Sequence, residues 1–132
     1  MKPVRVNQIS GAIVSSAMHV HAVLGPGLLE SAYQACLAHE IRKRGFAVPC
    51  QVGLPVVFDG EKMELGYRID LLVENVVIVE VKSVEAIHPV HQAQILSYMR
   101  LSGIGVGLLI NFNVKSLKDG IKRMVEGNDW EK

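Results

Sequence analysis

Arg68-Ile69-Asp70-Leu71-Leu72-Val73-Glu74-Asn75-Val76-Val77-Ile78-Val79-Glu80-Val81-Lys82 reads as a β-hairpin. Two apolar, largely β-branched runs flank the break Glu74-Asn75-Val76, as strands flank a turn. With the turn placed there, Val73 pairs with Val77, Leu72 with Ile78, Leu71 with Val79, and Asp70 with Glu80. Residues directly opposite in an antiparallel pair hold their Cβ atoms about 4.5–5.5 Å apart. Side chains alternate faces along a strand, so Glu80 and Lys82 point the same way and Asp70 joins them. The run Val76-Val77-Ile78-Val79 is apolar on both faces, which marks a central strand covered from both sides.

Two carboxylates at that separation repel. At about 5 Å and an effective dielectric near 20 the penalty is roughly 3 kcal/mol. A bound divalent cation removes it, and carboxylate oxygens are the ligands Mg²⁺ prefers. Lys82, one pleat along, would stabilise negative charge on a phosphate or lower the pKa of a water at the metal. The same three residues also read as a structural ion pair, with Lys82 neutralising Glu80 and Asp70 capping the turn region.

Working outward, residues 6 to 24 show a helical stripe of Ile9, Ile13, Ala17, Val20 and Leu24, ended by Gly25-Pro26-Gly27. A second helix runs from about Leu28 to Arg44 with the stripe Leu29, Tyr33, Leu37 and Ile41. Glu30 starts that helix beside the inward stripe, where it offers a third carboxylate or a favourable helix-dipole charge. The period then changes to 2. Gln51 to Phe58 reads as a strand and Asp59-Gly60 as a hairpin turn; Met63 to Val73 and Val76 to Lys82 follow as strands. Pro89 opens a third helix to about Leu101. On it Gln94 and Tyr98, four apart, share a face with Leu101 and His91 and so look toward the sheet. Val106 to Phe112 is a fully apolar strand, and Ser116 caps an expected last helix through about Val125, interrupted by Gly120. The tail Glu126–Lys132 reads as loose. The order is α-α-β-β-β-α-β-α: an α/β fold with a mixed central sheet of about four strands and helices on both faces. The crossover from the third strand to the fourth should be right-handed and parallel.

The chain has 132 residues and is 49% hydrophobic, which suits one domain spanning 1–132, with a core over about 9–125. No apolar run reaches the length of a membrane span, and the first residues lack a signal-peptide core. The expected location is therefore the cytoplasm, with no membrane partner. Cys36 and Cys50, set in apolar surroundings without Cys-x-x-Cys spacing, are expected as buried reduced thiols. Net charge is +1, without the basic excess of a dedicated DNA-binding domain. Basic residues cluster only at Arg42-Lys43-Arg44 and at Lys115, Lys118, Lys122 and Arg123. Arg68, two before Asp70, would meet a phosphate or a surface acid. His19 and His21 are two apart on a helix and face different ways. Gly25-x-Gly27 follows a helix, not a strand, so it is no phosphate loop.

Gly27-Leu28-Leu29-Glu30-Ser31-Ala32-Tyr33 resembles the G-x-x-E-x-x-Y signature of the GxxExxY proteins. The resemblance continues through Tyr67–Val73, Ile78–Lys82, His91–Tyr98 and Val106–Phe112. That family is similar to the PD-(D/E)XK nuclease superfamily, whose core is a mixed sheet flanked by helices. The position before the aspartate holds Ile69 in place of proline. The resemblance implies that Asp70, Glu80 and the main-chain carbonyl of Val81 bind Mg²⁺, with Mn²⁺ substituting, and that Lys82 helps activate the attacking water. It makes Glu30 the upstream acid of the metal site. It makes Gln94 and Tyr98 a Q-x-x-x-Y element near the metal and the nucleic-acid backbone. The implied activity is metal-dependent hydrolysis of phosphodiester bonds, in DNA. A homo-oligomer or a protein partner would supply the DNA grip that a near-neutral core lacks. The alternatives are a non-cleaving nucleic-acid- or protein-binding module on the same fold, and a hydrolase of small phosphate esters.

Overall fold

Opposite faces of two central strands bury two separate apolar clusters, and the helices divide accordingly. The structure, a computed structural model, describes residues 3–127. Helices α1 (Pro3–Leu24) and α2 (Glu30–Lys43) are followed by strands β1 (Cys50–Gly53), β2 (Val56–Phe58), β3 (Glu61–Met63), β4 (Arg68–Val73) and β5 (Val77–Lys82). Helix α3 (Pro89–Ser102), strand β6 (Val106–Asn111), a 3-10 turn at Leu117–Gly120 and strand β7 (Ile121–Val125) complete the order. The main sheet is five-stranded, β1-β4-β5-β6-β7, with β5 and β6 parallel and the other neighbours antiparallel.

On one face α1 and α2 bury Ile9, Ile13, Ala17, Tyr33, Leu37 and Ile41 against Leu71, Val73, Val77, Val79 and Val81. On the other, α3 brings Ile95, Tyr98 and Met99 onto Ile78, Leu72 and Leu109. Gly107 is what lets α3 approach: a Cβ there would stand 2.8 Å from Met99 Sδ. The β4–β5 register is the expected one, Val73 with Val77, Leu72 with Ile78 and Leu71 with Val79. Its turn residues Glu74 and Asn75 take φ of 51° and 61°, the left-handed pair at the centre of a primed turn that the Val76 N–H closes on the Val73 carbonyl.

Several expectations change. The expected last helix from Ser116 is a 3-10 turn followed by β7, which extends the sheet beyond four strands. Gly120 is not a helix interruption: a Cβ there would fall 2.2 Å from the Asn111 carbonyl oxygen, so the chain needs glycine to pass the end of β6. The expected strand Gln51–Phe58 splits around Leu54-Pro55. Its second part pairs with β3 in a separate two-stranded sheet, and the strand expected from Met63 to Val73 is broken at residues 64–67. Leu29 is 77% exposed, because the helix starts only at Glu30 and Leu29 is its N-cap.

Cys36 is exposed and Cys50 half-buried, both as free thiols; Cys36 lies off the stripe that Tyr33 and Leu37 present to the core. Glu126 is held by its N–H to the Gly105 carbonyl and by Arg100 at 2.8 Å. The rest of the expected loose tail, from Asn128 on, lies outside the described residues. Among the described residues no helix is long and apolar enough to cross a membrane.

Candidate active site

Strands β4 and β5 keep their regular ladder as far as Leu71 and Val79, and then side chains replace it. The Asp70 N–H donates to Glu80 Oε2 at 2.9 Å, and the Val81 N–H donates to Asp70 Oδ2 at 2.9 Å. The cause is a break in alternation. Ile69 packs in the α3 cluster and Leu71 in the α1–α2 cluster, although residues two apart on a regular strand share a face. β1 makes the same reversal between Cys50 and Val52, across Gln51, whose φ is 53°. Asp70 therefore projects into the gap between β4 and β5, and strict alternation misplaces it. Arg68, expected on the face of Asp70, is exposed and donates from Nη1 to the Gln51 carbonyl at 3.3 Å.

The Val81 N–H faces that gap, and the N–H and C=O of one extended residue point to the same edge of its strand. The Val81 carbonyl thus opens on the space beside the Asp70 carboxylate. Glu80 is 4% exposed. Burial pushes its carboxyl up to about 8, and the Asp70 charge adds to the rise; the Asp70 N–H and the Lys82 charge oppose it. A buried carboxyl beside another carboxylate keeps its proton near neutral pH unless a cation takes the proton's place.

Lys82 is half-buried and donates from Nζ to Gln94 Oε1 at 3.5 Å; Gln94 Nε2 in turn donates to the Tyr98 hydroxyl at 3.2 Å. Tyr98 is buried, and burial followed by the Glu80 charge raises its phenol above the ordinary range. Tyr67 meets the Tyr98 ring edge-on, with centroids 6.1 Å apart. Lys82, Gln94 and Tyr98 thus form one line from the end of β5 along α3.

Glu30 stands differently. It is exposed at the first residue of α2, and its charge reaches Glu80 only as a minor upward influence. Among the described residues no three acids, cysteines or histidines form a ready-made metal cage. The oxygens of Asp70 and Glu80 and the Val81 carbonyl are hard donors, and two carboxylates repel in a buried gap. That set fits Mg²⁺ or Mn²⁺, which takes one or two protein carboxylates and keeps waters or phosphate oxygens on its other positions.

Several further residues hold this arrangement in place. Tyr33, fully buried and stacked on Phe112 at 4.6 Å, donates its hydroxyl to the Gly25 carbonyl and accepts the Leu28 N–H. Ser83 Oγ donates to the Leu28 carbonyl at 2.5 Å, tying the start of α2 to the end of β5. Buried Asn111 pins the loop after Lys82: it accepts the Val84 N–H and donates to the Val84 carbonyl. Gln51 Nε2 donates to Asp70 Oδ1 at 3.3 Å and to Gln34 Oε1 at 3.1 Å. His88 and His91 form a capping box at the start of α3, and His21 bonds the Val114 carbonyl at 2.7 Å.

A family model described as the PD-(D/E)XK nuclease superfamily matches residues 7–124. No curated protein and no solved structure matches the chain.

Proposed function

The chain belongs to the PD-(D/E)XK nuclease superfamily, and from that premise we propose that it is a Mg²⁺-dependent deoxyribonuclease of the GxxExxY kind, active in the cytoplasm. Mn²⁺ would serve in place of Mg²⁺. The observation that carries the reading is the gap between β4 and β5. There the Asp70 and Glu80 carboxylates converge through each other's strand backbone, and the Lys82–Gln94–Tyr98 line begins two residues on.

Asp70, Glu80 and the Val81 carbonyl would hold the cation. When bound it would lower the pKa of water and polarise the scissile phosphate. Lys82 carries a charge close enough to Glu80 to act on its proton, and the same ammonium would offset charge developing on the phosphoryl oxygens. Gln94 holds the Lys82 ammonium in place, and Tyr98 closes the line on the buried side. Arg68, exposed at the mouth of β4, would take a neighbouring backbone phosphate; Glu30 would bear on the site through its field on Glu80.

A second reading, a nucleic-acid- or protein-binding module that does not cleave, draws on the net charge of +1. A near-neutral chain gains little from the phosphate backbone alone, so a second copy or a protein partner would supply the grip. Incubation of purified protein with linear and circular DNA and RNA, in Mg²⁺ or Mn²⁺, separates the two. Metal-dependent cleavage that disappears in Lys82→Ala and Glu80→Gln supports the nuclease. Equal inertness of all three proteins, with nucleic acid still bound by the wild type, selects the binding module.

A further inference from the structure

We infer that Gln51 is a positioning residue: its side-chain amide sets the Asp70 carboxylate in the orientation that accepts a divalent cation. The inference rests on the reading of Asp70 as a ligand in the proposed nuclease. Three observations carry it. Gln51 sits inside strand β1 with φ of 53°, in the left-handed region that L-residues other than asparagine and aspartate seldom enter. Glycine would make that kink without strain. The position holds an amide instead, and the amide is engaged.

Gln51 Nε2 donates to Asp70 Oδ1 at 3.3 Å, while the Val81 N–H holds Oδ2 at 2.9 Å. The carboxylate is thus fixed from both oxygens, each with a lone pair left for another partner. Gln51 is itself braced. Gln34 Oε1 accepts from the same Nε2 at 3.1 Å, and Arg68 Nη1 donates to the Gln51 carbonyl at 3.3 Å. Gln34 lies four residues after Glu30, on the same face of α2, so the brace ties the helix that carries Glu30 to the carboxylate. Strain of this kind persists where surrounding structure over-determines it, and it concentrates at working sites.

Carboxylates that ligate metals depend on such partners, whose loss typically costs about 10–100-fold in metal affinity. The test is Mn²⁺ binding by the full chain, read by calorimetry and by thermal shift, with the melting temperature of the metal-free protein measured alongside. Gln51→Gly relaxes the backbone and removes the amide; Gln51→Leu keeps the bulk and the strain but removes the amide; Gln51→Asn keeps an amide on a residue that tolerates the conformation.

We expect Gln51→Gly to melt within a few degrees of wild type, or above it, while binding Mn²⁺ about 10-fold more weakly. Gln51→Leu should share the weakening, and Gln51→Asn should recover part of it. Wild-type affinity in Gln51→Gly and Gln51→Leu overturns the inference while leaving the nuclease reading intact. A wild type that binds no Mn²⁺ overturns the metal reading and this inference with it. Affinity that falls only in step with melting temperature across the three variants reduces Gln51 to a structural role and also overturns it.

Discussion

The β2–β3 and β4–β5 hairpins both turn on a pair of left-handed residues and differ in their surroundings. Asp59-Gly60 and Glu74-Asn75 both take paired positive φ, 55° with 77° and 51° with 61°. The β4–β5 hairpin they compare with is nearly all buried, and its open end carries the candidate site. The β2–β3 hairpin stands outside the main sheet, with Val57 60% and Phe58 70% exposed. Turn chemistry makes a hairpin; helices on both faces make it a platform on which an acid can be held in place. The inner hairpin uses its rigidity at the one level where its ladder fails, at Asp70 and Glu80.

The sharpest way to break this contrast is at that level. Glu80→Gln should lower metal-dependent cleavage by more than about 100-fold and Lys82→Ala by about 10²–10⁴-fold. Glu80→Gln should still fold at neutral pH, where Glu80 is largely protonated already; single-turnover assays beside melting curves check both. Next in size is packing. Leu71→Ala, within the buried ladder, should cost about 2–5 kcal/mol in urea unfolding, whereas Val57→Ala in the outer hairpin should stay within about 0.5 kcal/mol.

Proton linkage follows. The folded carboxyl of Glu80 sits at about 8, above its ordinary 4.5. The folded state therefore binds the proton more tightly than the unfolded state. The resulting stability is fully present below pH 4.5 and is lost as pH rises toward 8, with a slope of at most about 1.4 kcal/mol per pH unit. Glu80→Gln should remove that slope from metal-free unfolding curves, and Mn²⁺ should bind wild type more tightly as pH rises through the same window. The smallest effect belongs to Phe58→Ser, which should leave stability within about 0.5 kcal/mol and cleavage unchanged; a large loss of cleavage would make the outer hairpin part of the site.

The same contrast shows what sequence patterns reveal. The inner register was legible because a polar break divides two unbroken apolar runs, and Pro89 and Gly103 bound α3 as expected. That Gln94 and Tyr98 share a face of α3 was legible from helical spacing. The reversal at Asp70 was not, because period-2 alternation assumes a regular strand and the reversal arises from pairing with a kinked β1. Gln51 was invisible for the same reason: a glutamine in a strand pattern does not announce a left-handed backbone. β7 was misread because Ile121, Met124 and Val125 repeat at helical spacing, whereas the segment forms an edge strand by pairing with β6. Gly120 held the clue, since its use depends on the Asn111 carbonyl of a distant strand.

Tyr33 ends the stretch that resembles a signature motif, yet the hydrogen bonds of its hydroxyl go to Leu28 and Gly25, stitching the turn at residues 25–28, and not to Asp70 or Glu80. Tyr33 therefore serves the scaffold, whereas in the proposed function Asp70 and Glu80 serve the chemistry. A variant without Glu80 would keep the stitch, and under the proposed function its centre would be silent. On that reading Asp70, Glu80 and Lys82 would report competence, and Tyr33 only that the turn is built.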